Sequence, residues 1–171
     1  EHKGMIITMR RSITAVLCAA ILSLFCLFTA SASNNLPAAG TVTTSSGRLY
    51  VRSTPGGSIV SSLAKDSNVA IVSEENGWYK VEYSGGAYGY SHSDYITPIN
   101  SSVYKQVKTN SGRLYVRNSP AGTVINSLAS GAKVAVISET NGWSKVVYNG
   151  NSTGYVSSNY LVSIGETQSK Y

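Results

Sequence analysis

The residues able to do acid–base, nucleophilic or metal chemistry are few, and their spacing does not favour it. Beyond residue 32 the 171-residue chain has one histidine, His92, and no cysteine, since Cys18 and Cys26 both fall earlier. A zinc site with two or more His or Cys ligands is therefore unavailable there, as is a Cys–His nucleophilic pair. Ser91-His92-Ser93-Asp94 carries the letters of a catalytic triad, but triad members converge from separate parts of a fold. Sixty-five residues later the same place holds Val156-Ser157-Ser158-Asn159, which points to a polar turn. Hydrolysis of a glycosidic bond needs two facing carboxylates. Asp66, Glu75, Glu82 and Asp94 have no acidic counterpart at that offset, and the matched pair Glu74 and Glu139 stands just before a turn, where a solvated charge is the simpler reading. The sequence predicts no enzyme, no metal and no cofactor.

Aromatic and guanidinium surface is plentiful instead. The chain has twelve tyrosines, and tyrosine offers a large rigid face with a polar tip at little entropic cost, suited equally to recognition and to a small core. In each copy of the run RLYVR, Leu49 and Val51 (or Leu114 and Val116) share one face, which turns Tyr50 and Arg52, and Tyr115 and Arg117, outward. These are candidate ligand contacts, with the arginines alternatively bracing the following loop. Trp78 and Trp143 lie on the opposite strand phase from Val81 and Val146, as a half-buried cap or as groove lining. Tyr90 and Tyr155 are open in the same way. Tyr79 and Tyr88 occur in the first half only, replaced by Ser144 and Thr153, and complete the candidate set. Tyr83 and Tyr148, in phase with the valines, are expected in the core, and Tyr95 and Tyr160 are expected to pack at a closing turn.

The elements that position these residues come in duplicate. GRLYVR stands at residues 47–52 and again at 112–117, and a shift of 65 aligns the chain with itself, gap-free, from Val42/Val107 to Ile99/Ile164, with about half the positions identical. The anchors include Pro55/Pro120, Leu63/Leu128, Asn76-Gly77-Trp78/Asn141-Gly142-Trp143 and Gly89-Tyr90/Gly154-Tyr155. Such a period is longer than most solenoid repeats, and units of roughly 60 residues can fold alone around small cores. Strand-like runs rich in β-branched residues and tyrosine, bounded by Gly, Pro, Asn and Ser, indicate an all-β unit. VAIVSEENGWYKVEY is a hairpin about Asn76-Gly77, and GYSHSDYI a last strand with its closing turn. Four to six short strands without helices are expected to close into a small, strongly bent barrel.

LYVRSTPGGSIVSSLAKDSNVAIVSEENGWYKVEYSGGAYGYSHSDYI resembles the bacterial SH3-like (SH3b) domain, with its L-N-V-R start, Pro or Gly turn, Gly-Trp-x-x-V strand and final Gly-Trp/Tyr-Val…Tyr-Leu. The second copy matches equally. Tyr50 and Tyr115 replace the usual Asn, Tyr90 and Tyr155 stand where Trp is common, and Ser91 replaces the Val kept as Val156. The resemblance implies two tandem SH3-like β-barrels that bind the bacterial cell wall, the peptide of peptidoglycan first. SH3b domains commonly serve as targeting modules beside wall-cleaving enzymes, so a second reading is an interaction module that recruits or regulates a secreted wall hydrolase.

The flanks bear on location. Arg10-Arg11, the apolar stretch Ile13 to Phe28 and Ala30-Ser31-Ala32 have the order of a secretory signal peptide. The apolar run is shorter than the roughly 20 residues of a spanning helix. Residues before Met9 read as an over-extended frame. Leu17 and Phe25 precede the two cysteines where a lipoprotein signal has a small residue. The expected organisation is a signal peptide over 1–32, a flexible lead-in over 33–41, domains over 42–99 and 107–164, a linker over 100–106 and a tail over 165–171. The product is expected to be secreted or wall-associated, without a membrane partner after cleavage. From Ser33 onward eleven Lys and Arg oppose seven Asp and Glu, a net +4. The first repeat, 4 − 5 = −1, is slightly acidic, and the second, 5 − 1 = +4, is basic. Any attraction to anionic wall polymers therefore belongs to the second, and the acidic first repeat argues against nucleic acid.

Overall fold

A computed structural model describes residues 36–164 of the protein; the expected signal peptide and tail lie outside them. The described chain is all-β, with two short 3-10 turns and no α-helix. The first repeat supplies β1 (Ala39–Val42), β2 (Arg48–Arg52), β3 (Ile59–Ala64), β4 (Asn68–Glu75), β5 (Trp78–Ser84), β6 (Ala87–His92) and β7 (Ile96–Pro98). The second supplies β8 (Val103–Val107), β9 (Arg113–Arg117), β10 (Val124–Ala129), β11 (Lys133–Thr140), β12 (Trp143–Tyr148), β13 (Ser152–Ser157) and β14 (Leu161–Ser163).

Each repeat forms one antiparallel sheet, ordered β3-β2-β6-β5-β4-β1-β7 and, identically, β10-β9-β13-β12-β11-β8-β14. Leu63 of β3 and Ile96 of β7 come from opposite ends of the first sheet yet join one buried cluster with Val42, Val51, Val69, Ile71 and Val81. The sheet is therefore curled around its core, as a small barrel requires. The second core repeats the arrangement with Val107, Val116, Leu128, Val134, Val136 and Val146. Asn76 and Gly77, at φ 49° and 80°, turn β4 into β5, and Asn141 and Gly142 do the same for β11 and β12. The Asn-Gly dipeptide meets that positive-φ demand at low cost.

The six letters of GRLYVR divide their labour. Gly47 is the turn into β2, Leu49 and Val51 are buried, and Tyr50 is 53% exposed. The Arg48 Nε and Nη2 donate to Oγ and the carbonyl of Ser62 (both 2.7 Å), tying β2 to β3, and Arg52 Nη1 donates to the Gly57 carbonyl (2.7 Å) across the Pro55 loop. Arg113 and Arg117 repeat these bonds on Ser127 and Gly122. Loop bracing, the alternative reading of Arg52 and Arg117, is thus present.

Two expectations change. Residues 36–41 are not a free lead-in: Leu36 packs on the first core, Ala38 and Ala39 are buried, and β1 pairs with both β4 and β7. Nor are residues 100–106 a free linker, because Ser102 is buried and Val103 begins β8, paired with β11 and β14. The reason is a seam between the repeats. Ala70 alternates with the core residues Val69 and Ile71, so its side chain leaves the first core, yet it is buried with Ala38, Ala39, Ala135 and Val147 in a third cluster. The Ala70 amide donates to the Gly150 carbonyl (3.0 Å), the Ala39 amide to Ser102 Oγ (2.9 Å), and the Tyr104 hydroxyl to the Ile71 carbonyl (3.0 Å). Burial first, then the nearby Glu82 and Tyr88, hold that hydroxyl's pKa well above the usual phenol value.

Candidate functional site

Each repeat carries a cleft in the same place. The first, about 600 Å³, lies between the loop after β1, the outward face of β2, the start of β5 and the 3-10 turn Ser93–Tyr95. The second is about 260 Å³. All nine residues lining it have their counterparts lining the first, and eight of those nine pairs are identical in type, among them Tyr50/Tyr115, Arg52/Arg117, Trp78/Trp143 and Tyr95/Tyr160. The ninth pair is His92/Ser157.

Local geometry explains why these side chains meet. Trp78 opens β5 opposite His92 at the end of β6, and the two rings stand edge to face with centroids 5.2 Å apart. His92 also faces Tyr95, at 6.0 Å, because the 3-10 turn folds the chain back over the strand end. Asp94 caps this aromatic row, its Oδ2 3.5 Å from His92 Nδ1, with a side chain 76% exposed. Tyr50 projects from β2, held by Ser91 Oγ donating to its carbonyl (3.1 Å). The Arg48 and Arg52 bonds described above leave each guanidinium with further N–H groups. The cleft therefore offers flat aromatic faces, guanidinium donors and one accessible carboxylate.

Of the residues singled out from the sequence, the structure brings Tyr50, Arg52 and Trp78 together in one cleft and Tyr115, Arg117 and Trp143 in the other. It leaves out four. Tyr79 is core, 6% exposed, because it shares the strand phase of Val81. Tyr88 is exposed on β6, outside the cleft lining, with Lys80 Nζ 5.7 Å from its ring centre. Tyr90 and Tyr155 are half-buried and pair across the sheet with Arg52 and Arg117 without lining either cleft. Tyr95 and Tyr160, expected to pack, are exposed cleft residues, since a 3-10 turn and not a strand presents them. His92 and Asp94 also line the first cleft. Their departure from the second repeat was visible in the sequence and reads as divergence of a site as readily as a variable turn.

The sequence profile of a family described as bacterial SH3 domain matches residues 47–97 and 112–162, once on each sheet. The chain belongs to this bacterial SH3 domain family. It is also similar to the Bacillus subtilis (strain 168) protein named "Putative N-acetylmuramoyl-L-alanine amidase YrvJ", at 30% identity over 139 residues. That match takes in 71% of this chain and 26% of YrvJ, so the chain spans about a quarter of that protein. Two solved structures from Trichomonas vaginalis, NlpC2 and NlpC1, are similar at 19% and 21% identity with TM-scores of 0.36 and 0.37. They cover 75% and 77% of this chain and 48% of each of those chains.

Proposed function

We propose that the protein is a non-enzymatic, exported tandem of bacterial SH3 domains that binds the cell wall, taking short peptide segments of peptidoglycan along the Tyr50 and Tyr115 clefts. The observation that carries this reading is the duplicated cleft, with eight of nine lining pairs unchanged in type while only about half the repeat is unchanged overall. Exposed aromatic faces beside guanidinium donors suit an extended peptide, which presents carbonyls and carboxylates along its length. The likeness to a protein named for an amidase of N-acetylmuramoyl-L-alanine agrees with that substrate class. The basic second repeat adds attraction to anionic wall polymers, and the order of residues up to Ala32 supports export.

Co-sedimentation with purified sacculi, with and without teichoic acid, tests this. The chain is expected to pellet with both, and replacing Tyr50 and Tyr115 together by Ala is expected to leave most of it in the supernatant. Equal retention of that variant moves the site away from the clefts. Failure to pellet at any salt favours the second reading, a module that recruits a secreted hydrolase.

A further inference from the structure

The two clefts agree along their walls except at His92/Ser157, where His92 Nδ1 lies 3.5 Å from Asp94 Oδ2, and they differ in charge at one end. In the first repeat that end carries Asp94, and residue 43 is a neutral Thr whose hydroxyl is bonded to Thr97 (3.3 Å). In the second, Asp94 becomes Asn159 and Thr43 becomes Lys108. Both line a further hollow of about 420 Å³ that continues the second cleft, since it shares Thr109, Ser111 and Tyr160 with it. Corresponding ends of the two grooves therefore carry a carboxylate and an ammonium. The wall arginines occur in both clefts and so cancel in the comparison. Lys65 reaches the rim of the first cleft at the Ser45 carbonyl (3.1 Å) without lining it.

We infer that the two clefts read opposite charges on a peptide ligand: the Asp94 end selects a segment bearing a primary ammonium, and the Lys108 end one bearing a carboxylate. This rests on the peptide-binding reading and adds a division of labour to it. A polymer carrying both groups would then be held in one orientation across the pair. Asp94 is well exposed, so the selectivity is that of a solvated ion pair, about two- to fivefold.

The chain has two tryptophans, one in each cleft, so the indole NMR signals of Trp78 and Trp143 report the sites separately. The probes are three N-acetylated, C-amidated tetrapeptides differing only in a central lysine, glutamine or glutamate, titrated into the full chain. The Trp78 signal is expected to respond to the lysine peptide at about two- to fivefold lower concentration than to the glutamine peptide, and Trp143 to favour the glutamate peptide likewise. Asp94→Asn should abolish the first preference alone and Lys108→Thr the second alone. At 1 M salt, with a Debye length of about 3 Å, both should vanish. The same ranking at both clefts, or a Trp78 preference that survives Asp94→Asn, overturns the inference while peptide binding stands. If no peptide moves either indole at millimolar concentration, peptide binding itself falls, and this inference with it.

Discussion

Tyr79 and Ser144 occupy the same point in the two barrels and are both buried, but they satisfy burial by different chemistry. Tyr79 fills the first core beside Val81. Ser144 donates its hydroxyl to Glu139 Oε1 (2.7 Å) and lies 2.8 Å from Ser158 Oγ, while Lys105 Nζ pairs with the same carboxylate at 2.9 Å. Tyr79→Ser removes a ring without supplying the second repeat's Lys105, and should cost about 3 kcal/mol in urea unfolding, in the range of aromatic truncations. The Ser144 hydroxyl, then Lys105, holds the Glu139 carboxyl below its ordinary value of 4.5. A lowered carboxylate contributes stability that is present above its unfolded value and lost as pH falls through the folded one. Ser144→Ala should therefore lower stability at neutral pH by about 1 kcal/mol and flatten the acid decline below about pH 4.5. A melting-temperature series from pH 3 to 7 checks both signs. Tyr79 shows how far single residues were legible. Its type made it a candidate surface contact, but the strand phase it shares with Val81 was the signal for burial, and phase decided.

At the scale of elements, alternation located β2 and the hairpins about Asn76-Gly77 and Asn141-Gly142, because those strands face one core and water. It did not locate β1 and β8, which read as lead-in and linker. AGTV and VYKQV are short, and their burial comes from pairing with β4 and β11 and from the opposite repeat, none of which a local period encodes. The runs Val69-Ala70-Ile71 and Val134-Ala135-Val136 hold the missing signal: three consecutive buried residues with the small one in the middle mark a strand covered on both faces. The tip between β12 and β13 completes that seam. Gly150 has φ +90°, and a Cβ there would lie 2.7 Å from Ser84 N and from the Tyr83 carbonyl carbon, backbone that cannot move aside. Gly150→Ala should force the repeats apart, costing about 2–3 kcal/mol, and speed hydrogen exchange at the Ala70 amide that donates to the Gly150 carbonyl. Gly86→Ala is the control, since its φ is +83° but a Cβ meets nothing within 4 Å. It should cost only the left-handed strain, about 1–2 kcal/mol, and leave Ala70 protected.

For the whole molecule, the seam changes how two binding sites have to be tested. The repeats lie in one compact unit and bury Ala38, Ala39, Ala70, Ala135 and Val147 between them. Cutting the chain in two would expose that apolar surface and confuse lost binding with lost folding, so the sites are better disabled singly in the intact protein. One small cleft should hold a flexible peptide weakly, because ordering the ligand opposes the contact energy. A sacculus presents many copies of one ligand, and a second site on the same body binds at an effective concentration set by the spacing of the first, which can raise avidity by roughly 10² or more. The packed seam narrows that spacing compared with a free linker and makes the gain depend on how well the clefts match the polymer's repeat. Tyr50→Ala and Tyr115→Ala should each lower retention on sacculi by about 10²-fold, while on soluble monomeric peptide each should silence only its own tryptophan. The double variant should then fall to background. If each single change instead costs no more than half the bound protein, the clefts act independently, and duplication of GRLYVR supplies capacity without avidity.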